Sequence, residues 1–249
     1  MKAPFSDPPR PIFAHLEDLR RCLLRMGLAW ALCTLAVIPL GPSLLAILVR
    51  PLSASADFPD VSLRAFRVGS GMRVLMQLTF WGGLALSLPI MIGFVARFVF
   101  PGLTPSERRL TRRLTVFSGL LFLLGIGLGY HLTLGVAVRF FLRVNAWLGV
   151  EMDWIELADY VTFAVKLLLA FGLAFELPVL LLGLGYTGLL RSESLRRSRR
   201  GVLVGVFALG MLLTPPDPMS QALLALSLYI LFELCILLIW LRERTVAQA

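Results

Sequence analysis

The chain has 249 residues, 58% of them apolar, and a formal net charge of +9. Its mean hydropathy of +0.83 means more apolar surface than a soluble fold of this length could bury, so composition excludes a soluble globular protein. Charged residues cluster between apolar runs of about 20 residues, the length that crosses a hydrocarbon layer of roughly 30 Å as a helix. The sequence therefore predicts an all-α, polytopic membrane protein.

Six membrane spans are predicted, within a single domain of residues 1–249. They lie at Leu23–Leu40, Leu75–Phe100, Leu114–Val138, Tyr160–Leu184, Gly201–Leu213 and Met219–Leu241. The first run follows a polar, proline-rich stretch without a cleavage site, so it is expected to stay attached rather than act as a cleaved signal peptide. The fifth run rises only about 20 Å. Either the bilayer thins there or protein shields that end.

Six spans place both termini on one side of the membrane, together with the segments Pro101–Arg113 and Leu189–Arg200. Of the 24 Lys and Arg residues, sixteen lie on that side, six on the other and two inside spans. The positive-inside rule therefore predicts cytoplasmic termini. Topology and anionic lipid explain the positive charge better than nucleic-acid binding, because no basic helix carries interleaved aromatic residues.

The first motif, His15–Arg21, precedes the first span. Leu16 and Leu19 recur at helical spacing with later apolar residues, which predicts an amphipathic helix at the cytoplasmic interface. Two interpretations of its charges are open. Glu17 and Arg21 can form a pair at spacing i,i+4, or the acidic residues can serve a ligand.

The second motif follows the second span and contains Thr104, Pro105 and Glu107. Thr104 can serve as the N-cap of a helix, Pro105 as its first residue and Glu107 as its third. Together they form a capping box, which is a structural reason for the carboxylate of Glu107. Alternatively, Glu107 offers its carboxylate to a cation, and the flat fork of a guanidinium fits it in bidentate fashion.

The third motif is Phe175-Glu176-Leu177-Pro178, inside the fourth span. An ionisable group there costs several kcal/mol unless it is paired, protonated or hydrated, so a functional role is favoured. Lys166 is ten residues away, about 15 Å along a helix, and is too distant to be its regular partner. Pro178 loosens the helix and frees a backbone carbonyl.

The fourth motif joins the fifth and sixth spans. Its prolines end the fifth span, and Asp217 can cap the sixth. Helix capping does not explain Gln221 and Glu233, which lie on an otherwise apolar helix. Such polar groups usually hydrogen-bond to another helix, within the protein or in a partner.

No nucleotide-binding, zinc-protease or serine-hydrolase motif is present, and the two histidines lie far apart in sequence. The three cysteines fall in or beside apolar runs and are interpreted as small core residues. We therefore expect no enzyme activity, no cofactor and no metal.

The four motifs, in this order, resemble those of the TatC family, the receptor subunits of the twin-arginine protein translocase. The resemblance runs from about His15 to Glu233, and Gly210–Glu233 carries its longest motif. It implies a concave groove with short fifth and sixth spans, in a multi-pass protein of the bacterial cytoplasmic (inner) membrane. It also implies an Arg-pair signal peptide as ligand, TatA- and TatB-like single-span partners, self-association in a larger complex, and export of folded proteins under the protonmotive force.

The resemblance assigns roles residue by residue. Signal-peptide binding falls to Glu107, Asp18, Glu17, Leu16, Arg20, Phe98 and Pro101. Glu176 is the intramembrane carboxylate facing the groove. Contact with the partner's helix falls to Met211, Thr214, Gln221 and Glu233, and Pro51 and Asp217 are structural residues on the periplasmic side.

The chain departs from the family pattern in its first motif, where Asp18 replaces the commoner Glu and Glu17 can share its task. A different class of function is also open, namely a secondary transporter that uses Glu176 as a proton relay. That alternative usually shows paired internal repeats, which this sequence lacks. An intramembrane enzyme is a third alternative, without a nucleophile and base pair to support it.

Overall fold

A computed structural model describes residues 12–53, 62–99, 105–150, 153–186, 190, 192–213 and 217–247, with the backbone alone for 12–15, 96, 97, 99, 105–114 and 245–247. The helices are α1 (Ile12–Val37), α2 (Gly41–Ser53), α3 (Ser70–Val99), α4 (Pro105–Leu128), α5 (Gly135–Trp147), α6 (Leu157–Ala174), α7 (Leu177–Tyr186), α8 (Ser192–Arg197), α9 (Arg199–Leu213) and α10 (Pro218–Ala247). A 3₁₀ turn, Ile38–Leu40, joins α1 to α2, and a π-helical segment, Gly129–Leu134, joins α4 to α5.

Among the described residues, five helical segments are long and apolar enough to cross a membrane. They are Leu16–Leu52, Ser70–Val95, Thr115–Trp147, Leu157–Gly185 and Pro218–Arg244. The predicted helical membrane fold is confirmed. The fifth predicted span corresponds to α9, whose 15 residues rise about 22 Å and fall short of the usual hydrocarbon thickness. The total of six spans and the cytoplasmic termini stay predictions.

The prediction of a short sixth span is wrong, because α10 has 30 residues. Its last turns continue beyond the hydrocarbon-crossing length because they pack against α7 and α8. Ile236 and Ile239 are buried there with Leu182 and Leu195. Glu243 accepts hydrogen bonds from the backbone N–H of Ser192, at 3.0 Å, and from its hydroxyl, so α10 also caps the short α8.

A two-stranded parallel sheet adds to the predicted all-helical fold. Strand β1 (Ser62–Arg64) pairs with β2 (Trp154–Glu156), in the register Ser62 opposite Trp154. The rings of Phe66 and Trp154 lie 4.4 Å apart beside it. Three residues per strand are too few to show a period-2 pattern in the sequence, so the strands were not predicted.

Small residues let the spanning helices approach closely. A Cβ placed on Gly83 of α3 would lie 2.6 Å from the Cα of Thr34 on α1. One placed on Gly125 of α4 would lie 2.7 Å from the carbonyl oxygen of Phe171 on α6. Between membrane helices, where lipid is as apolar as the side chains, such close backbone packing is a main source of association. Among the described helices, α6 carries the largest number of buried residues.

Candidate functional site

The fourth predicted span breaks at Glu176. Helix α6 ends at Ala174, and α7 begins at Leu177 after a turn formed by Phe175 and Glu176. Pro178 has no N–H to donate to the carbonyl of residue 174, so the regular α-helical ladder cannot continue through the turn. Instead, the carbonyl of Glu176 accepts from the N–H of Val179 at 3.1 Å. The predicted loosening beside Pro178 is therefore seen as a break between two helices.

The side chain of Glu176 is buried, with 8% of its surface exposed. Its Oε2 accepts a hydrogen bond of 2.7 Å from the hydroxyl of Ser118 on α4, and the side chain of Ser118 is itself fully buried. Its Oε1 has no hydrogen-bond partner among the described residues. The carboxyl group is thus half satisfied, and the other oxygen is a buried acceptor that none of the described residues satisfies.

Glycine packing between α4 and α6 holds Ser118 against Glu176. A Cβ on Gly172 of α6 would lie 2.6 Å from the ring of Phe122, and one on Gly125 would meet Phe175 at 2.9 Å. Because the two helices touch at both points, Ser118, about two turns before Gly125, lies beside the turn after α6. Sequence reasoning missed Ser118, since a serine near the start of an apolar run gives no signal of its partner.

The amphipathic segment before the first span forms the N-terminal part of α1. Leu16 is 53% exposed, and Asp18 and Arg20 are exposed as well. Glu17 pairs with Arg21 at 2.5 Å, as the i,i+4 interpretation predicted. Asp18 has no ion pair or hydrogen bond among the described residues. Asp18 is therefore the available carboxylate of this segment, whereas Glu17 already has a partner.

Helix contacts place Asp18 at the same end of the bundle as the second motif. Thr34 of α1 lies against Gly83 of α3, whereas Gly41, a few residues after α1, lies against Leu75, so the two helices are antiparallel. Sixteen residues back from Thr34 is Asp18, and sixteen forward from Gly83 is Val99, the end of α3. Phe98, which is half buried, therefore lies near the level of Asp18.

The same reasoning connects α3 with α4. A Cβ placed on Gly93 of α3 would lie 3.1 Å from the side chain of Thr115 on α4, and one placed on Gly119 of α4 would lie 3.4 Å from the ring of Pro89 on α3. Each pair of residue numbers adds to 208, so the first turn of α4, which contains Glu107, lies near the Val99 end of α3. The backbone of Glu107 is in that turn, while its side chain, like Pro101, lies outside the described residues.

The partner-contact residues predicted on α9 and α10 have different environments. Met211 is 71% exposed on α9. Gln221 of α10 donates its amide N–H to the carbonyl oxygen of Phe207 on α9 at 3.1 Å, and its Cγ lies close to Gly210. Thr214 lies outside the described residues. Gln221 therefore bonds to a neighbouring helix of its own chain.

Glu233 also has a partner within the chain. Its Oε2 lies 2.7 Å from the guanidinium of Arg199, the first residue of α9, and both side chains are partly exposed. Sequence reasoning placed Arg199 among the cytoplasmic charges and did not connect it to Glu233. The contact ties one end of α9 to the middle of α10.

The two residues predicted to be structural have local hydrogen-bond roles. Asp217 is buried and accepts the N–H of Ser220 at 2.6 Å and also its hydroxyl, which makes it the N-cap of α10. Pro51, inside α2, cannot donate to the carbonyl four residues earlier, which is that of Ile47. The hydroxyl of Tyr130 donates to that carbonyl at 2.7 Å.

These features define the class: a polytopic α-helical membrane protein with a buried carboxyl group between α4 and α6 and, at one end of the bundle, an amphipathic segment with an exposed, unpaired Asp18 among the described residues. In the described part of the chain, no group of three His, Cys, Asp or Glu residues is close enough to hold a metal ion.

Comparison with known proteins identifies the family. The model of the family described as Sec-independent protein translocase protein (TatC) matches residues 14–226. A TatC of Escherichia coli strain K12 is 36% identical over 225 residues, 90% of this chain and 86% of that protein. A TatC of Deinococcus radiodurans is 34% identical over 231 residues, 92% and 85% of the two chains. A crystal structure of the twin-arginine translocase receptor TatC superposes with a TM-score of 0.78 at 28% identity, covering 90% of this chain and 98% of the other.

The chain belongs to the TatC family. It is therefore a subunit of a Sec-independent protein translocase, a multi-pass protein of the bacterial inner membrane. The resemblance drawn from the four motifs is confirmed at the level of the family, and translocation is a transport function rather than an enzymatic one.

Proposed function

We propose that this chain is the receptor subunit that binds twin-arginine signal peptides at its cytoplasmic face. The observation that carries the proposal is the exposed carboxylate of Asp18, which has no partner among the described residues although it lies beside a paired Glu17. Helix register places Asp18 near the Val99 end of α3, and α4 begins near that end with Glu107 in its first turn. Carboxylates of Asp18 and Glu107 at this end of the bundle would suit two guanidinium groups, each of which binds a carboxylate through two parallel hydrogen bonds.

Apolar surface beside these carboxylates supports the same proposal. Leu16 is exposed on α1, and Phe98 is half buried at the end of α3. An apolar signal segment that follows its arginines would cover such surface, which stabilises binding by about 25 cal/mol per Å² buried. Arg20, also exposed, favours anionic lipid around the site, and lipid phosphates there would screen its repulsion of the ligand.

The proposal is tested by photo-crosslinking a twin-arginine signal peptide to the full chain in membrane vesicles. Asp18→Asn is expected to reduce crosslinking about tenfold or more, since a hydrogen bond to a charged group contributes about 1.5–3 kcal/mol. Glu107→Gln is expected to do the same. Glu17→Gln is the matched control, one residue away and similarly exposed, and it is expected to keep most of the crosslinking.

Two results would contradict the proposal. One is equal crosslinking by the Asp18 and Glu17 variants, which would mean that the pairing of Glu17 has no bearing on the site. The other is equal binding of a peptide whose two arginines are replaced by lysines, which lack the bidentate fork. Restoration of export of a twin-arginine reporter in cells that lack their own TatC would establish the activity of the whole chain.

We also infer that TatA- and TatB-like single-span partners bind the exposed apolar face of α9. Val204 and Met211 are 67% and 71% exposed on this short helix. A partner's apolar helix can pack on this face without breaking the hydrogen bond of Gln221 or the ion pair of Glu233, because both contacts join α9 to α10 on its other side. Met211→Asp is expected to abolish copurification of such a partner, while Leu226→Asp, on an exposed part of α10, is the control expected to retain it.

For Glu176, the half-satisfied carboxyl group supports a role as the intramembrane acceptor for a donor on an entering segment. Coupling to the protonmotive force would then pass through protonation changes of this group. Glu176→Gln keeps an acceptor oxygen but cannot change charge, so it is expected to slow export while leaving signal-peptide crosslinking intact. Unchanged export in that variant would remove Glu176 from the mechanism.

A further inference from the structure

A single narrow stripe of α6 is exposed. Asp159, Lys166 and Leu173 are the exposed residues of this helix, and the burial pattern leaves every position between them buried or half buried. Seven residues are close to two helical turns, so the three side chains lie on one face, and the exposed Leu180 of α7 continues the series. Helices α3 and α9 both pack against α6. An ammonium group thus lies on the open face of a membrane-spanning helix.

Lys166 has no ion pair and no hydrogen bond among the described residues. Asp159, seven residues earlier, is about 10 Å away along the axis and lies 3.7 Å from Arg73. Glu176 is ten residues later, about 15 Å in the other direction, and bonds to Ser118. An unpaired charge within a membrane span marks a binding function by default, because desolvating it without a partner costs several kcal/mol.

The depth of Lys166 and the direction of its side chain determine where a partner must be. Lys166 is nine residues, about 14 Å, from the start of α6 at Leu157. Side chains on a helix point back toward its N-terminus, so the ammonium group is directed toward the Leu157 end. An extended lysine stem covers about 6 Å, which leaves the ammonium about 8 Å below the level of Leu157.

The short helix α9 gives a second estimate of the same depth. Its 15 residues rise about 22 Å, whereas a hydrocarbon layer is about 30 Å thick, so a bilayer that matches the length of α9 would be about 8 Å thinner than usual beside it. Because α9 packs against α6, the thinned region adjoins the open face of α6. If the whole shortfall falls in the leaflet at the Leu157 end of α6, a headgroup there would lie at the depth that the Lys166 ammonium reaches.

Polar groups lie along α6 between its first residue, Leu157, and Lys166, and they favour the entry of water as far as the ammonium group. Arg73 and Asp159 lie first, and one turn deeper the amide of Gln77 donates to the hydroxyl of Thr162 at 2.8 Å. The amide oxygen of Gln77 is buried without a partner among the described residues. Thr162 precedes Lys166 by about one turn, so polar groups extend along the α3–α6 seam almost to the ammonium.

We propose that Lys166 binds the phosphate of a phospholipid headgroup, in the leaflet at the Leu157 end of α6, and so holds a lipid in the thinned region beside α9. A lipid is the occupant that these observations favour, because its phosphate is an anion present at high concentration at this depth once the bilayer thins. The site is independent of signal-peptide binding, which concerns the opposite end of α1 and α3. Failure of one proposal therefore leaves the other unaffected.

The test is native mass spectrometry of the full chain released from vesicles that contain phosphatidylglycerol. One retained phospholipid per chain is expected for the wild type and for Lys166→Arg, which keeps the charge. Lys166→Met, which keeps the length of the stem, is expected to lower retention about fivefold, the effect of one cation on an anionic lipid. Arg67→Met is the matched control, because Arg67 is an exposed cation outside the spans.

Equal retention by Lys166→Met and wild type would overturn the proposal, as would an equal loss in Arg67→Met. Retention of a galactosyl diacylglycerol, which has no phosphate, as strongly as phosphatidylglycerol would overturn it too. Displacement by millimolar inorganic phosphate would show a free-anion site instead of a lipid site.

A second measurement uses only the wild-type chain and so does not depend on the folding of a variant. Phosphatidylglycerol with a photoreactive headgroup is expected to crosslink within residues 162–170. Crosslinks confined to the segments between helices would contradict the assignment.

Discussion

Ser118→Ala removes the hydroxyl that donates to Glu176 at 2.7 Å. Both side chains are buried, and Oε1 of Glu176 already has no partner among the described residues, so the substitution leaves the carboxyl group without a donor from that part of the chain. The cost lies between about 0.6 kcal/mol, the average for hydrogen bonds between membrane helices, and about 3 kcal/mol, the cost of stranding a buried polar group. We expect about 2 kcal/mol, a factor of about 30 in the unfolding equilibrium.

The assay is equilibrium unfolding of the purified chain in mixed micelles, followed by circular dichroism as denaturing detergent is increased. Ser227→Ala is the matched control. The hydroxyl of Ser227 donates only to the carbonyl of Leu223 within α10, at 2.8 Å, so its loss is expected to change stability by less than about 0.5 kcal/mol.

Repeating Ser118→Ala in a Glu176→Leu background isolates the contact between the two side chains. With the carboxyl group gone, no buried acceptor is stranded, so removing the hydroxyl is expected to cost almost nothing there. An equal loss of stability in both backgrounds, or none in either, would refute the assignment of Ser118 as the residue that positions Glu176.

Three further predictions concern helix contacts, each measured by the same unfolding titration unless stated. Gly125→Ala is expected to destabilise the protein by about 1–3 kcal/mol because its methyl would meet a backbone oxygen at 2.7 Å, while Gly27→Ala, with open space around it, is expected to be neutral or stabilising by up to about 1 kcal/mol. Arg199→Glu and Glu233→Arg are each expected to lower export of a reporter several-fold, and the double exchange to restore it, since the pair would re-form with reversed charges; no recovery would argue against the pair. Asp217→Ala is expected to cost about 1–2 kcal/mol through loss of the α10 cap, and an unchanged midpoint would contradict that role.

The membrane fold and the location of Glu176 were predictable because they depend on local composition. An apolar run of sufficient length must be a helix in lipid, and one carboxylate within it is conspicuous. Even the break after α6 had a local signal in Pro178. Ser118 had none, because its importance comes from the crossing of α4 and α6, which depends on how Gly125 and Gly172 pack.

The polar residues of α10 show a different limit of sequence reasoning. Gln221 and Glu233 were correctly recognised as residues that need a partner, but a single sequence does not distinguish a partner helix in the same chain from one in another protein. Their hydrogen bonds to Phe207 and Arg199 of α9 depend on the pairing of the last two spans. Contact with a second protein at these positions stays a prediction.

Those two contacts explain how so short a helix keeps its position. Helix α9 is about 8 Å shorter than the hydrocarbon layer, and one of its faces is exposed at Met211, so burial of apolar surface holds it only on the sides that pack against α10 and α6. Gln221 bonds to Phe207 in the C-terminal half of α9, and Glu233 pairs with Arg199 at its first residue. Because both polar contacts lie on the side of α9 that faces α10, the opposite apolar face around Met211 stays exposed, as the proposed contact with a transmembrane partner requires.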